Sequence, residues 1–163
     1  MLMFAGQVFL GRVDPVRVSN GGTDVHFESF AATSIVRDEP RNVGALLFYE
    51  ACAHIAWFHP SVQVITFASS RPIMAEGEAR LQAAARIAAL ERIGTTNIRV
   101  TPMPSGRIVV SGEWVYNAEN MNALELALQE YRAMFLALPI GRGKHWPQWW
   151  RHLRRALRRP IKG

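Results

Sequence analysis

Cysteine and lysine are almost missing from this sequence, and no long apolar run occurs in it. One cysteine, Cys52, excludes an intramolecular disulfide and any zinc site built on several thiolates, so a reducing compartment is the expectation. No stretch approaches the roughly 20 apolar residues that span a bilayer. The opening MLMFAGQVFLGR lacks a basic leading region and reaches Arg12 and Asp14 too early for a secretory leader. These absences predict a cytoplasmic protein that touches a membrane at most from one side, as a peripheral protein. Only Lys144 and Lys162 are lysines among 19 basic residues, an arginine bias that a GC-rich genome can produce and that carries no functional weight.

Acid is missing from one place in particular. The last 22 residues hold eight basic residues and no acidic one, which leaves 11 basic against 13 acidic residues in positions 1–141. The net charge of +6 therefore belongs to the tail, and the body sits near −2.

What is present reads as alternating strands and dense helices. Residues 6–19 alternate up to the turn signal Asn20–Gly22, and alternation resumes from Val25 to Ile35, the pattern of antiparallel strands joined by a tight turn. The polar segment Arg37–Asn42 precedes VGALLFYEACAHIAWF, whose Leu46, Leu47, Tyr49 or Glu50, Ala53, Ile55 and Trp57 predict a buried helix ending at His59 and Pro60. Ser61–Ser69 is a β-branched run suited to a central strand buried on both faces. A second helix follows over 76–94, with Leu81, Ala84, Ala85, Ala88 and Ile93 along one side and Gly94 as its cap. Strands over 97–103 and 107–117 flank the turn PSG, and an amphipathic helix runs from about Glu119 to Leu138. Its apolar side, with Leu124, Leu128, Tyr131 and Phe135, suits a core or the face of a homodimer.

The order predicts one α+β domain of α/β-like character over 1–138, a mixed, mainly antiparallel sheet with helices packed on it. A linker, PIGRG, and a basic C-terminal helix occupy 139–163. Glu50 and His54 lie four apart with Cys52 and His59 nearby, but a helix turns Cys52 about 200° away from both, so no metal set converges. Cys52 reads as a small buried side chain. Ser69, Ser70 and Arg71, after the central strand, suit either a phosphate or carboxylate contact or a plain turn.

The sequence of strand, polar turn, helix, strand, helix, strand, strand over about residues 24–116 resembles the cofactor-binding half of the GNAT acyltransferase superfamily. That family carries Arg or Gln, two residues, Gly, one residue, then Gly or Ala where a loop and a helix N-terminus take the pyrophosphate of acetyl-CoA. RNVGAL supplies Arg41 and Gly44 and places Leu46 at the last position. The resemblance implies that Arg41, Asn42, Val43, Gly44 and Ala45 hold an acyl-CoA, with no metal, and that the acyl group passes directly to an amine acceptor. It also implies a base on the preceding strand, where His26 and Glu28 stand two residues apart on one face, a pair that otherwise reads as the solvated face of a strand. Leu90 stands where the family places its tyrosine acid, and the N-terminus is shorter than the family's. Both departures favour an alternative, a non-enzymatic adaptor or accessory subunit.

The tail carries that alternative. Trp146, Trp149, Trp150, Leu153 and Leu157 recur at helical spacing, with Arg151, Arg154, Arg155, Arg158 and Arg159 opposite them. Such a helix suits an anionic membrane surface, nucleic acid or an acidic protein partner, and it equally suits docking on the chain's own body with its arginines solvated.

Overall fold

The computed structural model describes residues 1–5, 8–28, 30–32, 43–70, 76–105, 108–137 and 155. Their fold is α+β, with three helices packed against mixed sheets whose strands are mostly antiparallel. The elements run β1 (Leu2–Ala5), β2 (Val8–Val13), β3 (Val16–Ser19), β4 (Asp24–Phe27), β5 (Phe30–Ala32), α1 (Val43–Phe58), β6 (Val64–Ser70), α2 (Glu76–Glu91), β7 (Thr96–Pro102), β8 (Ile108–Val115) and α3 (Ala118–Ala137).

Two alternating runs of sequence become four short strands divided between two sheets. Pro15 has no N–H to give a ladder, and the pairing changes partner on either side of it. Upstream, β2 lies between β1 and β5, with Gly11 opposite Ala32 and Val13 opposite Phe30; downstream, β3 pairs with β4 from Val16–Phe27 to Ser19–Asp24. Between β3 and β4 the chain reverses through Asn20, Gly21 and Gly22, all at positive φ (49°, 65° and 101°), a conformation that glycine and asparagine enter most easily. β1 is an element that the alternation of the sequence does not announce.

The larger sheet has the order β3-β4-β6-β8-β7. Among the described residues its one parallel neighbouring pair is β4 with β6, from Asp24–Val64 to Phe27–Phe67, and α1 lies in the crossover between them. Val25, Phe27, Ile65, Phe67 and Trp114 share the buried face. On that face α1 packs through Phe48, whose ring meets Phe27 and Phe67 edge-on, while the Tyr49 hydroxyl donates to Ala89 of α2 at 2.6 Å and the Tyr49 ring stacks edge-on against Tyr131 of α3. All three helices thus form a single layer, and β6 buries Ile65 and Phe67 on one face while Val64, Thr66 and Ala68 on the other are half-buried, where the sequence predicted burial on both.

α1 is apolar nearly all round, as its central place demands, with Val43, Leu46, Tyr49, Cys52 and Ala53 fully enclosed. α2 turns a different side inward from the one its composition suggests. Leu81 is 75% exposed and Ala84, Ala85 and Ala88 are exposed, whereas Ala83 and Leu90 are buried and Ile87 is half-buried between them. An alanine-rich helix offers several nearly equivalent sides, and the tether at Ile93 and Gly94 decides among them. Gly94, at φ +78°, takes the chain out of the helix, with Thr95 N–H donating to the Leu90 carbonyl at 3.1 Å. α3 opens on Asn117, whose side-chain oxygen accepts from Asn120 N–H at 2.8 Å.

Candidate functional site

The C-terminal ends of β4 and β6 define the candidate site. After the Phe27–Phe67 pair the two parallel strands part: β6 continues to Ser70 against β8, while the chain beyond β4 crosses to pair as β5 with β2. Among the described residues, no strand pairs with the β4-side edge of Ala68–Ser70. The Ser69 carbonyl accepts from the Arg86 guanidinium of α2 at 3.4 Å. α1 starts on this same side of the sheet, since it carries the chain from the end of β4 back to the beginning of β6.

In the first turn of α1, Val43 and Ala45 direct their side chains into the core and Gly44 is half-buried. N–H groups in the first turn of a helix have no partner within the helix itself, and this turn holds no acidic side chain. Arg41 and Asn42, expected to complete this cradle, lie outside the described residues, as does Arg71.

His26 and Glu28 sit where β4 reaches the parting of the strands, but each engages a different strand. His26 Nδ1 shares a hydrogen bond with Thr66 Oγ1 at 2.8 Å, and the imidazole is half-buried. Glu28, just past β4, accepts from Arg17 Nη2 at 2.5 Å in an exposed ion pair. Arg17, His26, Thr66 and Glu113 stand opposite one another in register, forming a polar row across the face away from the helices. Thr66 and Arg17 were not singled out in the sequence, because their alignment depends on strand order.

Burial holds the acidic groups of Cys52, Tyr49 and Tyr116 protonated. Burial pushes the Cys52 thiol well above its ordinary range, so it is not poised as a nucleophile. Burial also raises the phenol of Tyr116, which donates to the Cys52 carbonyl at 2.8 Å, and that of Tyr49, where Tyr131 adds to the effect. Leu90 is 6% exposed and helps to fill the core. His54 is exposed against the Phe58 ring, and no group of three or more His, Cys, Asp or Glu able to hold a metal occurs among the described residues.

A second concave feature lies away from the strand ends. β1 and β2 face α1 across an apolar cleft of about 340 Å³ lined by Leu2, Phe4, Leu47, Trp57, Phe58 and others. At its edge Arg132 of α3 binds Glu50 of α1 in bidentate fashion, at 2.6–2.9 Å. Of the tail residues, Arg155 is described, as an exposed helical residue; Trp149, Trp150, Arg151, Arg154, Arg158 and Arg159 lie outside the described residues. No helix among the described residues is long and apolar enough to cross a membrane.

No family model, curated protein or solved structure matches this chain.

Proposed function

We propose that this protein is a divergent GNAT-like acyltransferase, moving an acyl group from an acyl-CoA to an amine. One observation carries the reading: the parallel neighbours β4 and β6 separate beyond Phe27 and Phe67, at the end where α1 presents its N-terminus. Crevices outside the carboxyl ends of parallel strands are where ligands enter sheets of this kind, and a helix N-terminus favours a pyrophosphate. The amides of Val43 and Gly44 would take that anion, with Arg41 and Asn42 preceding them in the sequence. The amine would attack the thioester carbonyl, the C–S bond would break, and His26 or Glu28 would accept the proton the amine loses.

Each candidate base is tied to a partner that orients it. Thr66 holds His26, and Arg17 holds Glu28. Leu90 cannot donate a proton to the leaving thiolate, which favours a second reading, an adaptor or accessory subunit acting through its basic tail.

Thermal unfolding of the full chain with excess acetyl-CoA tests the first reading. Ligand at about 100 times its Kd adds roughly 2.7 kcal/mol to a protein that binds it folded. Gly44→Glu should abolish that rise by placing a carboxylate at the helix N-terminus. No rise in the parent chain would overturn the acyltransferase reading. The adaptor reading would then be tested by sedimentation with anionic vesicles and by binding of an oligonucleotide.

A further inference from the structure

We propose that the cleft between β1 and α1 is the seat of the chain's own C-terminal segment, residues 146–157, which lays its tryptophan and leucine side there and leaves its arginines in solvent. The inference is independent of the acyl-transfer reading.

The cleft is unfinished as it stands. Leu2, Phe4 and Phe58 line it, yet they are 62%, 53% and 65% exposed. Phe4 is further paired with Phe9 across the β1–β2 ladder, at a ring separation of 5.4 Å, and Phe9 is 39% exposed. Four large apolar side chains clustered in this way mark an interaction site rather than scattered surface residues. The cleft's polar groups are largely matched internally, since Glu50 is satisfied by Arg132. Its occupant must therefore be mainly apolar.

The path of the chain names that occupant. Arg132 lies at the cleft edge and α3 ends at Ala137, five residues or about 7.5 Å further along the helix. From Ala137 to Trp146 is nine residues, a reach of up to about 30 Å. At helical spacing, residues 146–157 would set Trp146, Trp149, Trp150, Leu153 and Leu157 on one side and Arg151, Arg154 and Arg155 on the other. Aromatic rings bury about 150–250 Å² each, so even two tryptophans would cover most of the exposed apolar rim. Because the partner is tethered, its effective concentration at the cleft reaches the millimolar range, and modest contacts suffice.

Limited trypsin digestion of the full chain, read by mass spectrometry without lipid or nucleic acid, tests this. Cleavage after Arg151, Arg154 and Arg158 should be at least tenfold slower in the parent chain than in Phe4→Asp/Phe58→Asp. Trp149→Ser/Trp150→Ser, altered only in the tail, should match the cleft variant and guards against misfolding of the body. Leu126→Asp, which charges an exposed site outside the cleft, should leave the tail protected. Equal cleavage in all four proteins would overturn the proposal. So would protection that grows with protein concentration, which would assign the cleft to a second copy, or protection that requires phosphatidylglycerol vesicles or an oligonucleotide.

Discussion

The indole Nε1–H of Trp114, on β8, donates to the carbonyl of Ile93 at 2.6 Å, and the ring is fully buried. That bond fixes the exit of α2 over the centre of the larger sheet. Trp114→Phe removes the donor, leaves a buried carbonyl unpaired and opens a cavity, at a cost of about 3 kcal/mol. Thermal unfolding should show Tm lowered by roughly 10 °C.

One residue further on, Gly94 combines a positive φ with a close neighbour. A Cβ there would overlap the side chain of Asn120, which itself donates to the Val115 carbonyl at 2.8 Å. Gly94→Ala should cost at least about 2 kcal/mol, from left-handed backbone and steric conflict together. In Gly94→Ala/Asn120→Ala the steric part vanishes while the backbone part remains. The double variant should therefore be less destabilised than the sum of the singles in urea titrations.

These contacts mark where the sequence is readable. Turn chemistry at Asn20–Gly22 and the Gly94 cap set elements that local pattern reveals, and so does the near-continuous apolar character of α1. The inward side of α2 was not readable, since alanines at 83, 84, 85, 88 and 89 look alike until the sheet selects Ala83 and Leu90. Thr66 lies 40 residues from His26, and only the parallel register of β4 with β6 brings the two together. For the same reason the parting of those strands, on which the functional reading rests, is invisible to any local pattern. The expected domain and linker boundary at 138–139 falls outside the described residues, as does the tail apart from Arg155.

Two ion pairs offer an internal comparison. Arg132–Glu50 is bidentate, with side chains 17% and 29% exposed, whereas Arg17–Glu28 has one short contact and side chains 67% and 48% exposed. Water screens the second pair and much less of the first. Double-mutant cycles with Glu50→Gln/Arg132→Gln and Glu28→Gln/Arg17→Gln should give couplings of about 1–2 kcal/mol and about 0.5 kcal/mol or less, respectively. Adding 1 M salt should shrink the smaller coupling proportionally more.

Alkaline pH probes the buried acids. Cys52, Tyr49 and Tyr116 all have folded-state pKa values raised above their ordinary values of 9.0, 10.0 and 10.0, chiefly by burial. The unfolded chain releases these protons first, so above pH 9 the native state binds more protons than the unfolded state. Stability must then fall as pH rises, because its slope with pH follows protons bound unfolded minus native. The contribution of these groups is fully present below about pH 9 and is lost progressively through the alkaline range above it. Urea unfolding from pH 7 to pH 11 should show a plateau followed by a decline beginning between about pH 9 and 10. Tyr116→Phe removes one contributor, along with its bond to the Cys52 carbonyl. The variant should be less stable at pH 7 by about 1 kcal/mol and should decline less steeply above pH 10. A decline of unchanged steepness would show that the Tyr116 phenol titrates alike in both states and is not held protonated by burial.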